Sequence, residues 1–191
     1  TWLGYFLTRV ENMDLLEKTA IIFTSDHGFY FGEHGGIFGK MVFEKRTDGT
    51  YPPLEGWDDP KGGGRWSYSP LYEEVAGIPL FIYVPGISPG VYDHLTSAVD
   101  IMPTVLDILQ QDIPDVVEGE SLLQKLYDST LPGRDFTFSS IPFANPGDPI
   151  RAVDSLLRML EAPTVTTVTT MEWSLLYCQD PGKSKLYHLP S

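Results

Sequence analysis

Apolar residues recur at steps of three and four positions through residues 2–17, which places them on one face of a helix. Two shorter runs, residues 20–23 and 78–84, are continuously apolar and rich in β-branched and aromatic side chains. Runs of this kind are typical of strands buried in a parallel sheet, and Pro79 is confined to the start of the second run because proline cannot donate to a strand ladder. A short strand is also expected at residues 94–97. Helical spacing returns in three further segments, residues 71–74, 99–109 and 120–126.

The last third of the chain has a different pattern, in which strands outnumber helices. Runs rich in threonine, valine and aromatic residues predict strands at residues 136–141, 164–170, 173–178 and 185–189. Apolar spacing predicts a helix at residues 153–160. We therefore predict an α/β fold, with a mixed or parallel sheet flanked by helices over residues 1–130 and a small sheet-rich C-terminal subdomain over residues 131–191.

A long insertion separates the two apolar strands. Residues 41–70 have no clear period and contain turn signals, among them Asp48-Gly49 and the glycines of residues 62–64. Loops of this length inside a compact domain are usually functional lids or disordered segments. Its aromatic residues favour an ordered cover, and they are Tyr51, Trp57, Trp66 and Tyr68.

The 191-residue chain has 26 acidic and 13 basic residues, a formal charge of −13. A chain this acidic lacks the Lys/Arg footprint that neutralises phosphates, so nucleic acid is excluded as a general partner. No apolar run approaches the roughly 18 residues of a membrane span. The single cysteine, Cys178, excludes an internal disulfide framework and a zinc cluster built from cysteines.

The richest stretch for chemistry follows the first predicted strand, where Asp26, His27 and Gly28 stand at its carboxyl end. Sites collect at that end of the strands in open α/β sheets. A carboxylate and an imidazole are suitable ligands for a divalent cation, and a glycine lets the backbone pass close to a ligand. Lys40 follows glycines and carries a point charge suited to an anion. The alternative is that Asp26 only caps a turn, since two ligands do not complete a metal site.

Three groups of residues occur in a fixed order along the chain. The first comprises Thr24–Gly28, Gly32–Gly35 and Gly39–Lys40, the second is residues 99–107, and the third is Gly119–Leu122. In this order they resemble the C-terminal motifs of type I sulfatases, which belong to the alkaline phosphatase superfamily together with phosphonate monoester hydrolases. The resemblance covers most of the chain and implies part of an alkaline-phosphatase-like sheet, flanked by helices, in the α/β part.

The resemblance also implies roles for individual residues. Asp26 and His27 would bind a divalent metal ion, for which calcium is usual in sulfatases, whereas manganese or zinc stays open because histidine suits both. Lys40 would bind the sulfate or phosphate oxygens and assist departure of the leaving group. His34 is a further catalytic candidate, against the alternative of an imidazole that fixes the turn around it.

The substrate implied is a small-molecule or carbohydrate sulfate ester, with a phosphonate or phosphate ester as the alternative. In such esters charge develops on peripheral and leaving oxygens in the transition state, where a metal ion and fixed cations stabilise it. Arg65 and Trp66, in the insertion, are candidates for substrate binding, with covering of the sheet as the alternative.

One family motif does not occur in these residues. The Cys/Ser-x-Pro/Ala-x-Arg signature of the nucleophile, which matures to formylglycine in sulfatases, is absent, and Cys178 has different neighbours. The sequence therefore resembles the C-terminal portion of a longer hydrolase, expected to be inactive alone, to expose apolar surface and to self-associate, for instance as a homo-oligomer. Two alternatives stay open: a phosphonate monoester or phosphodiester hydrolase on the same scaffold, and a non-catalytic fragment that binds metal or a partner chain.

Overall fold

The computed structural model of the chain describes residues 1–33, 37–39, 41–43, 66–68, 71–140, 166–177, 182 and 184–189. Its described helices are α1 (Trp2–Asn12), α2 (Glu73–Ala76), α3 (Ile101–Ile108) and α4 (Leu123–Tyr127), with short 3₁₀ helices at Leu16–Lys18 and Ala98–Asp100. Its described strands are β1 (Ile21–Thr24), β2 (Tyr30–Phe31), β3 (Ile37–Gly39), β4 (Met41–Phe43), β5 (Trp66–Tyr68), β6 (Leu80–Tyr83), β7 (Thr137–Ser140), β8 (Thr166–Thr169), β9 (Trp173–Tyr177) and β10 (Lys185–His188).

The chain divides into two compact units, each assembled from two segments. The first unit comprises Thr1–Ser25 and Pro79–Asp135, and the second comprises Asp26–Ile78 and Phe136–Ser191. The sequence-based division between residues 130 and 131 stays a prediction. Of the helices that the structure describes, none is long and apolar enough to cross a membrane.

The helix predicted at the start of the chain is confirmed as α1, which ends at Asn12 rather than at residue 17. The Thr1 hydroxyl caps it by accepting a hydrogen bond from the Gly4 N–H at 3.3 Å. Three large side chains on this helix are more than half exposed: Trp2 by 89%, Tyr5 by 73% and Phe6 by 54%. The apolar stripe that predicts the helix is therefore largely solvent-facing in this chain.

The α/β class and both apolar strands are confirmed, but β1 and β6 pair in antiparallel rather than parallel order. Ile21 lies opposite Tyr83 and Thr24 lies opposite Leu80. The pairings among the described strands are all antiparallel. A continuous apolar run indicates that a strand is buried, but it carries no information about the direction of the neighbouring strand.

The strand predicted at residues 94–97 is wrong, because this segment makes no ladder with a neighbouring strand. The Leu95 carbonyl accepts a backbone hydrogen bond from the Arg134 N–H at 3.5 Å. The rings of Tyr92 and His94 lie against each other with their centroids 5.0 Å apart. Side-chain contacts rather than strand pairing therefore hold this part of the first unit.

A buried carboxylate organises the first unit. Asp100 is 1% exposed and accepts hydrogen bonds from the N–H groups of Ser97 at 2.8 Å and Glu120 at 2.9 Å, and from Arg134 Nε at 3.0 Å. Arg134 Nη2 contacts the second oxygen of the same carboxylate. Burial alone would raise the pKa of Asp100, but the hydrogen bonds from Arg134 and from the two backbone N–H groups outweigh it and lower that pKa.

The same region ties α3 to the segment around Gly119. Thr104 Oγ1 donates to the Asp100 carbonyl at 2.6 Å and accepts from the Leu122 N–H at 2.9 Å. A β-carbon at Gly119 would come within 2.0 Å of the Val99 carbonyl oxygen, so only glycine fits there. The second and third sequence motifs therefore form one packed element of the first unit.

Two four-stranded antiparallel sheets lie in the second unit, with strand orders β2-β3-β4-β5 and β10-β9-β8-β7. β4 and β5 stand at the two ends of the long insertion, and Met41 pairs with Tyr68. The insertion thus begins and ends as paired strands, which its lack of period did not predict. The strands predicted near the C-terminus are confirmed as β7 to β10, whereas the helix predicted at residues 153–160 lies outside the described residues.

Candidate functional site

The loop that follows β1 brings together the carboxylate of Asp26 and the imidazole of His27. Asp26 Oδ1 accepts a hydrogen bond from the backbone N–H of His27 at 3.0 Å, and Asp26 Oδ2 lies 3.5 Å from His27 Nε2. The Asp26 side chain is 84% exposed and that of His27 is 31% exposed. The two predicted ligand groups therefore face each other at a surface that a cation from solvent can reach.

A backbone carbonyl determines which nitrogen of His27 carries the proton. His27 Nδ1 lies 2.7 Å from the carbonyl oxygen of Gly28. A carbonyl oxygen can only accept, so the neutral imidazole that makes this bond is protonated on Nδ1. The lone pair is then on Nε2, the nitrogen nearer to Asp26.

This arrangement fits a divalent cation. Two ligand atoms on one cation at about 2.0–2.5 Å lie roughly 3–4 Å apart, which agrees with the 3.5 Å between Asp26 Oδ2 and His27 Nε2. A metal-binding histidine commonly donates its other ring N–H to a backbone carbonyl, as His27 does to Gly28. Across the described part of the chain, no group of three or more His, Cys, Asp or Glu side chains forms a metal site. The pair thus offers two ligand atoms to one cation.

Close packing against α2 holds the loop at Gly28. The Gly28 N–H donates to the Val75 carbonyl at 2.9 Å. A β-carbon at position 28 would lie 1.9 Å from the Glu74 carbonyl oxygen and 3.1 Å from Val75 Cα. The glycine is therefore required by the approach of two backbones, which adds a structural role to the one that the sequence predicts for it.

Two tyrosines anchor the start of α2 behind this loop. Tyr30 is fully buried, and its hydroxyl accepts a hydrogen bond from the Tyr72 N–H at 3.1 Å. The rings of these residues meet edge to face, with centroids 6.2 Å apart, and they share a core with Val75 and Leu176. The core of the second unit thus lies directly beneath the backbone that carries His27.

The ionised form of Glu73, on α2, is disfavoured by its surroundings. Partial burial of the Glu73 carboxyl raises its pKa, and the negative charge of Glu74 raises it further. The Glu73 side chain lies against Gly77, where a β-carbon would come within 2.4 Å of Glu73 Oε1. Glu73 is therefore held close to its own helix.

The other predicted site residues cannot be located relative to this pair. His34, Lys40 and Arg65 lie outside the described residues, and Trp66 is described through the backbone of β5. Gly39, which precedes Lys40, pairs with Tyr30 in the β2–β3 ladder and has a φ of +70°. Convergence of these side chains on Asp26 and His27 stays a prediction.

The sequence did not predict the residues that support the Asp26–His27 loop through α2. Tyr30, Tyr72 and Thr167 carry the hydrogen bonds that fix α2. A signal existed for Tyr30, which stands two positions after Gly28 in a run of aromatic residues. No local signal existed for Thr167, which lies 96 positions from its partner Leu71.

The family model and curated relatives that match this chain are sulfatases. A sulfatase family model matches residues 2–111. Arylsulfatase K of Homo sapiens is 32% identical over 122 residues, which cover 63% of this chain and 17% of that protein. The chain spans about a fifth of the length of the curated relatives it matches.

Solved structures extend the similarity over nearly the whole chain. A phosphonate monoester hydrolase from Silicibacter pomeroyi has a TM-score of 0.63 and 25% identity, covering 97% of this chain and 31% of that one. A protein solved in complex with its substrate D-glucosamine-2-N,6-O-disulfate has a TM-score of 0.57 and 22% identity, covering 97% of this chain and 30% of that one. The second likeness shows the fold alone.

Proposed function

Because the chain belongs to the sulfatase family, we propose that it supplies part of the active site of a metal-dependent hydrolase of sulfate esters. The observation that carries this proposal is the Asp26–His27 pair, whose oxygen and nitrogen lie 3.5 Å apart at an accessible surface. The nucleophile and further ligands are proposed to belong to the remainder of a longer enzyme, because the chain corresponds to about a fifth of its relatives.

Asp26 Oδ2 and His27 Nε2 are the atoms that would hold the metal ion. Calcium is the ion we propose, with manganese and zinc as alternatives because an imidazole nitrogen suits them. A metal ion bound here would polarise the ester and stabilise negative charge on its oxygens. The contribution of this chain is to keep the His27 proton on Nδ1, where the Gly28 carbonyl accepts it, so that Nε2 carries the lone pair.

Lys40 is proposed to bind the sulfate oxygens. Its support is the register of β2 and β3, in which the residue before it, Gly39, pairs with Tyr30. Tyr30 is two residues from Gly28, and Gly39 directly precedes Lys40 in the sequence. A lysine there would act as a fixed cation for charge that develops in the transition state. His34, Arg65 and Trp66 are proposed as further contacts to the substrate.

The substrate class we propose is a sulfate ester of a small molecule or a carbohydrate. Support comes from the family match and from the fold shared with a protein whose substrate is a sulfated glucosamine. A phosphonate or phosphate ester is the second candidate, favoured by the TM-score of 0.63 with a phosphonate monoester hydrolase. Both esters place charge on non-bridging oxygens, so one metal ion and one lysine suit either.

Calorimetric titration of the 191-residue chain with Ca²⁺ and Mn²⁺ tests the metal-binding role. We expect Asp26→Asn and His27→Gln to weaken binding by about tenfold or more. Asp112→Asn, an exposed aspartate of the first unit, is the matched control and should bind as the parent does. A folded chain that binds neither ion, or binding that both site variants leave unchanged, would overturn the proposal.

Hydrolysis assays separate the catalytic alternatives. The chain alone is expected to show no turnover of aryl sulfate or aryl phosphonate esters with either metal ion. A longer reading frame that encodes the Cys/Ser-x-Pro/Ala-x-Arg run should hydrolyse one of them, and the larger kcat/KM decides between sulfatase and phosphonate hydrolase. Metal-dependent turnover by the 191-residue chain would contradict the absence of the nucleophile from it.

A further inference from the structure

A continuous series of hydrogen bonds runs from His27 into the core of the second unit. His27 Nδ1 donates to the Gly28 carbonyl at 2.7 Å, and the Gly28 N–H donates to the Val75 carbonyl at 2.9 Å. The Val75 N–H donates to the Tyr72 carbonyl at 2.9 Å, and the Tyr72 N–H donates to the Tyr30 hydroxyl at 3.1 Å. Gly28, Val75 and Tyr72 each use both their backbone N–H and their backbone carbonyl in this series.

The C-terminal sheet fixes the same point from the other side. Thr167, in β8, is 2% exposed, and its hydroxyl donates to the Leu71 carbonyl at 2.8 Å. Leu71 adjoins Tyr72, whose N–H bonds to Tyr30. The chain entering α2 is therefore held by one buried hydroxyl group from β2 and one from β8.

We infer that Tyr30 and Thr167 are positioning residues for His27. Their hydroxyl groups hold the start of α2, and α2 in turn holds Gly28. The Gly28 carbonyl then selects the tautomer of His27. This inference rests on the proposed function for its purpose, since a lone pair on Nε2 is what a metal ion needs. Tyr30 and Thr167 act through the backbone of Val75 and Gly28.

The physical basis is the fate of buried polar groups. Without the Tyr30 hydroxyl the buried Tyr72 N–H loses the acceptor that it has at 3.1 Å, and without the Thr167 hydroxyl the Leu71 carbonyl loses the donor that it has at 2.8 Å. The start of α2 then shifts to find other partners. A shift of the Val75 carbonyl moves Gly28, and the two His27 tautomers become closer in free energy because the bond that separates them weakens.

NMR of the His27 side chain in the 191-residue chain tests this inference. Nitrogen-15 shifts of the ring, recorded at about pH 8.5 where a free imidazole is neutral, give the ratio of the two tautomers. We expect the Nδ1–H form to dominate in the parent chain. Tyr30→Phe and Thr167→Val should each lower the ratio of Nδ1–H to Nε2–H by about threefold or more.

Two variants in the same core serve as matched controls. Tyr72→Phe removes a hydroxyl that accepts from Lys185 Nζ at 3.4 Å but keeps the Tyr72 N–H, and Thr169→Val removes a buried hydroxyl of β8 that contacts Ser174. Both should leave the tautomer ratio unchanged. Amide spectra of all variants report whether the fold is kept, so a loss of folding is distinguished from a change confined to His27.

The outcomes separate the inference from the proposed function. Unchanged ratios in folded Tyr30→Phe and Thr167→Val overturn the inference, as does an equal change in the two controls. Addition of Mn²⁺ to the parent chain should broaden the His27 ring signals selectively. Failure of that broadening overturns the metal-binding role, whereas the tautomer ratios still decide the positioning role by themselves.

Discussion

Gly28 and Glu74 lie so close together that a β-carbon on the first would come within 1.9 Å of the carbonyl oxygen of the second. The contact is between two backbones, so neither partner can move a flexible side chain out of the way. The glycine of the Asp-His-Gly segment therefore sets the distance between the Asp26–His27 loop and α2.

Replacement of this glycine by Gly28→Ala should lower the free energy of unfolding by about 3 kcal/mol, because the added methyl group overlaps the backbone of α2. Urea unfolding measures the change. Gly90→Ala is the matched control, since a β-carbon at Gly90 meets no atom within 4 Å, and it should stay within about 0.5 kcal/mol of the parent. Equal effects of the two substitutions would contradict the close approach.

Removal of the guanidinium by Arg134→Leu should destabilise the first unit by about 3–5 kcal/mol, because Asp100 would remain buried without its partner. The measurement is the midpoint and slope of urea unfolding. Arg9→Leu, on the surface of α1, is the control and should change stability by about 0.5 kcal/mol or less. A small effect of Arg134→Leu would show that Asp100 is supported by its two backbone donors alone.

Acid should weaken the first unit through Asp100. Because its pKa is lower in the folded chain than in the unfolded one, the stability it contributes is present above the unfolded value of about 3.9 and is lost as the pH falls through the folded value. Unfolding measured between about pH 6 and pH 2.5 should therefore show a steeper fall for the parent than for Asp100→Asn. Asp128, whose pKa the Thr130 hydroxyl also lowers, is present in both chains and cancels in the comparison. Parallel profiles would refute the assignment.

Glu73→Gln should raise stability at neutral pH by about 0.5 kcal/mol or less. The folded-state pKa of Glu73 is raised, so its ionised form is disfavoured in the folded chain and the penalty appears as the pH rises through the unfolded pKa. The gain should therefore vanish in acid, where the parent glutamate is protonated. Glu118→Gln, at an exposed position, is the control. A gain that persists in acid would point to another cause.

The exposed face of α1 should drive self-association of the isolated chain. Trp2, Tyr5 and Phe6 are more than half exposed, which is uncommon for large apolar side chains that lie on one helix. Size-exclusion elution should shift to larger species as the concentration rises, and Tyr5→Lys with Phe6→Lys should reduce the shift. Thr8→Lys adds the same charge per substitution at a polar position of α1 and should not. Elution as a monomer at all concentrations would contradict this expectation.

Local patterns predict the elements of this chain well, because they reflect contacts within a few residues. α1, β1, α3 and the strands near the C-terminus follow from spacing and composition. The position of Asp26 and His27 after β1 also follows, since a strand end is a local property. The direction of β6 relative to β1 does not, because an apolar run is the same in either direction.

Partners distant in sequence account for what the patterns missed. The sequence pattern places Asp100 in a helix but does not predict its ion pair. Its partner Arg134 lies 34 positions away, and no periodic signal links the two residues. The hydrogen bond from Thr167 to Leu71 spans 96 positions, so no local sequence pattern links the two residues. The predicted convergence of His34, Lys40, Arg65 and Trp66 on the Asp26–His27 pair is likewise a matter of residues distant in sequence, which local patterns do not report.

The order of synthesis determines when the contact between Thr167 and Leu71 can form. A ribosome makes the Asp-His-Gly loop and α2 well before it makes β8, so the nascent loop has no β8 to hold it while the residues between α2 and β8 are being added. Non-local contacts of this kind form late and slowly. The Asp26–His27 loop is thus made before the sheet that supports it, so premature termination before residue 167 would remove the Thr167 contact to Leu71 as well as β8 itself.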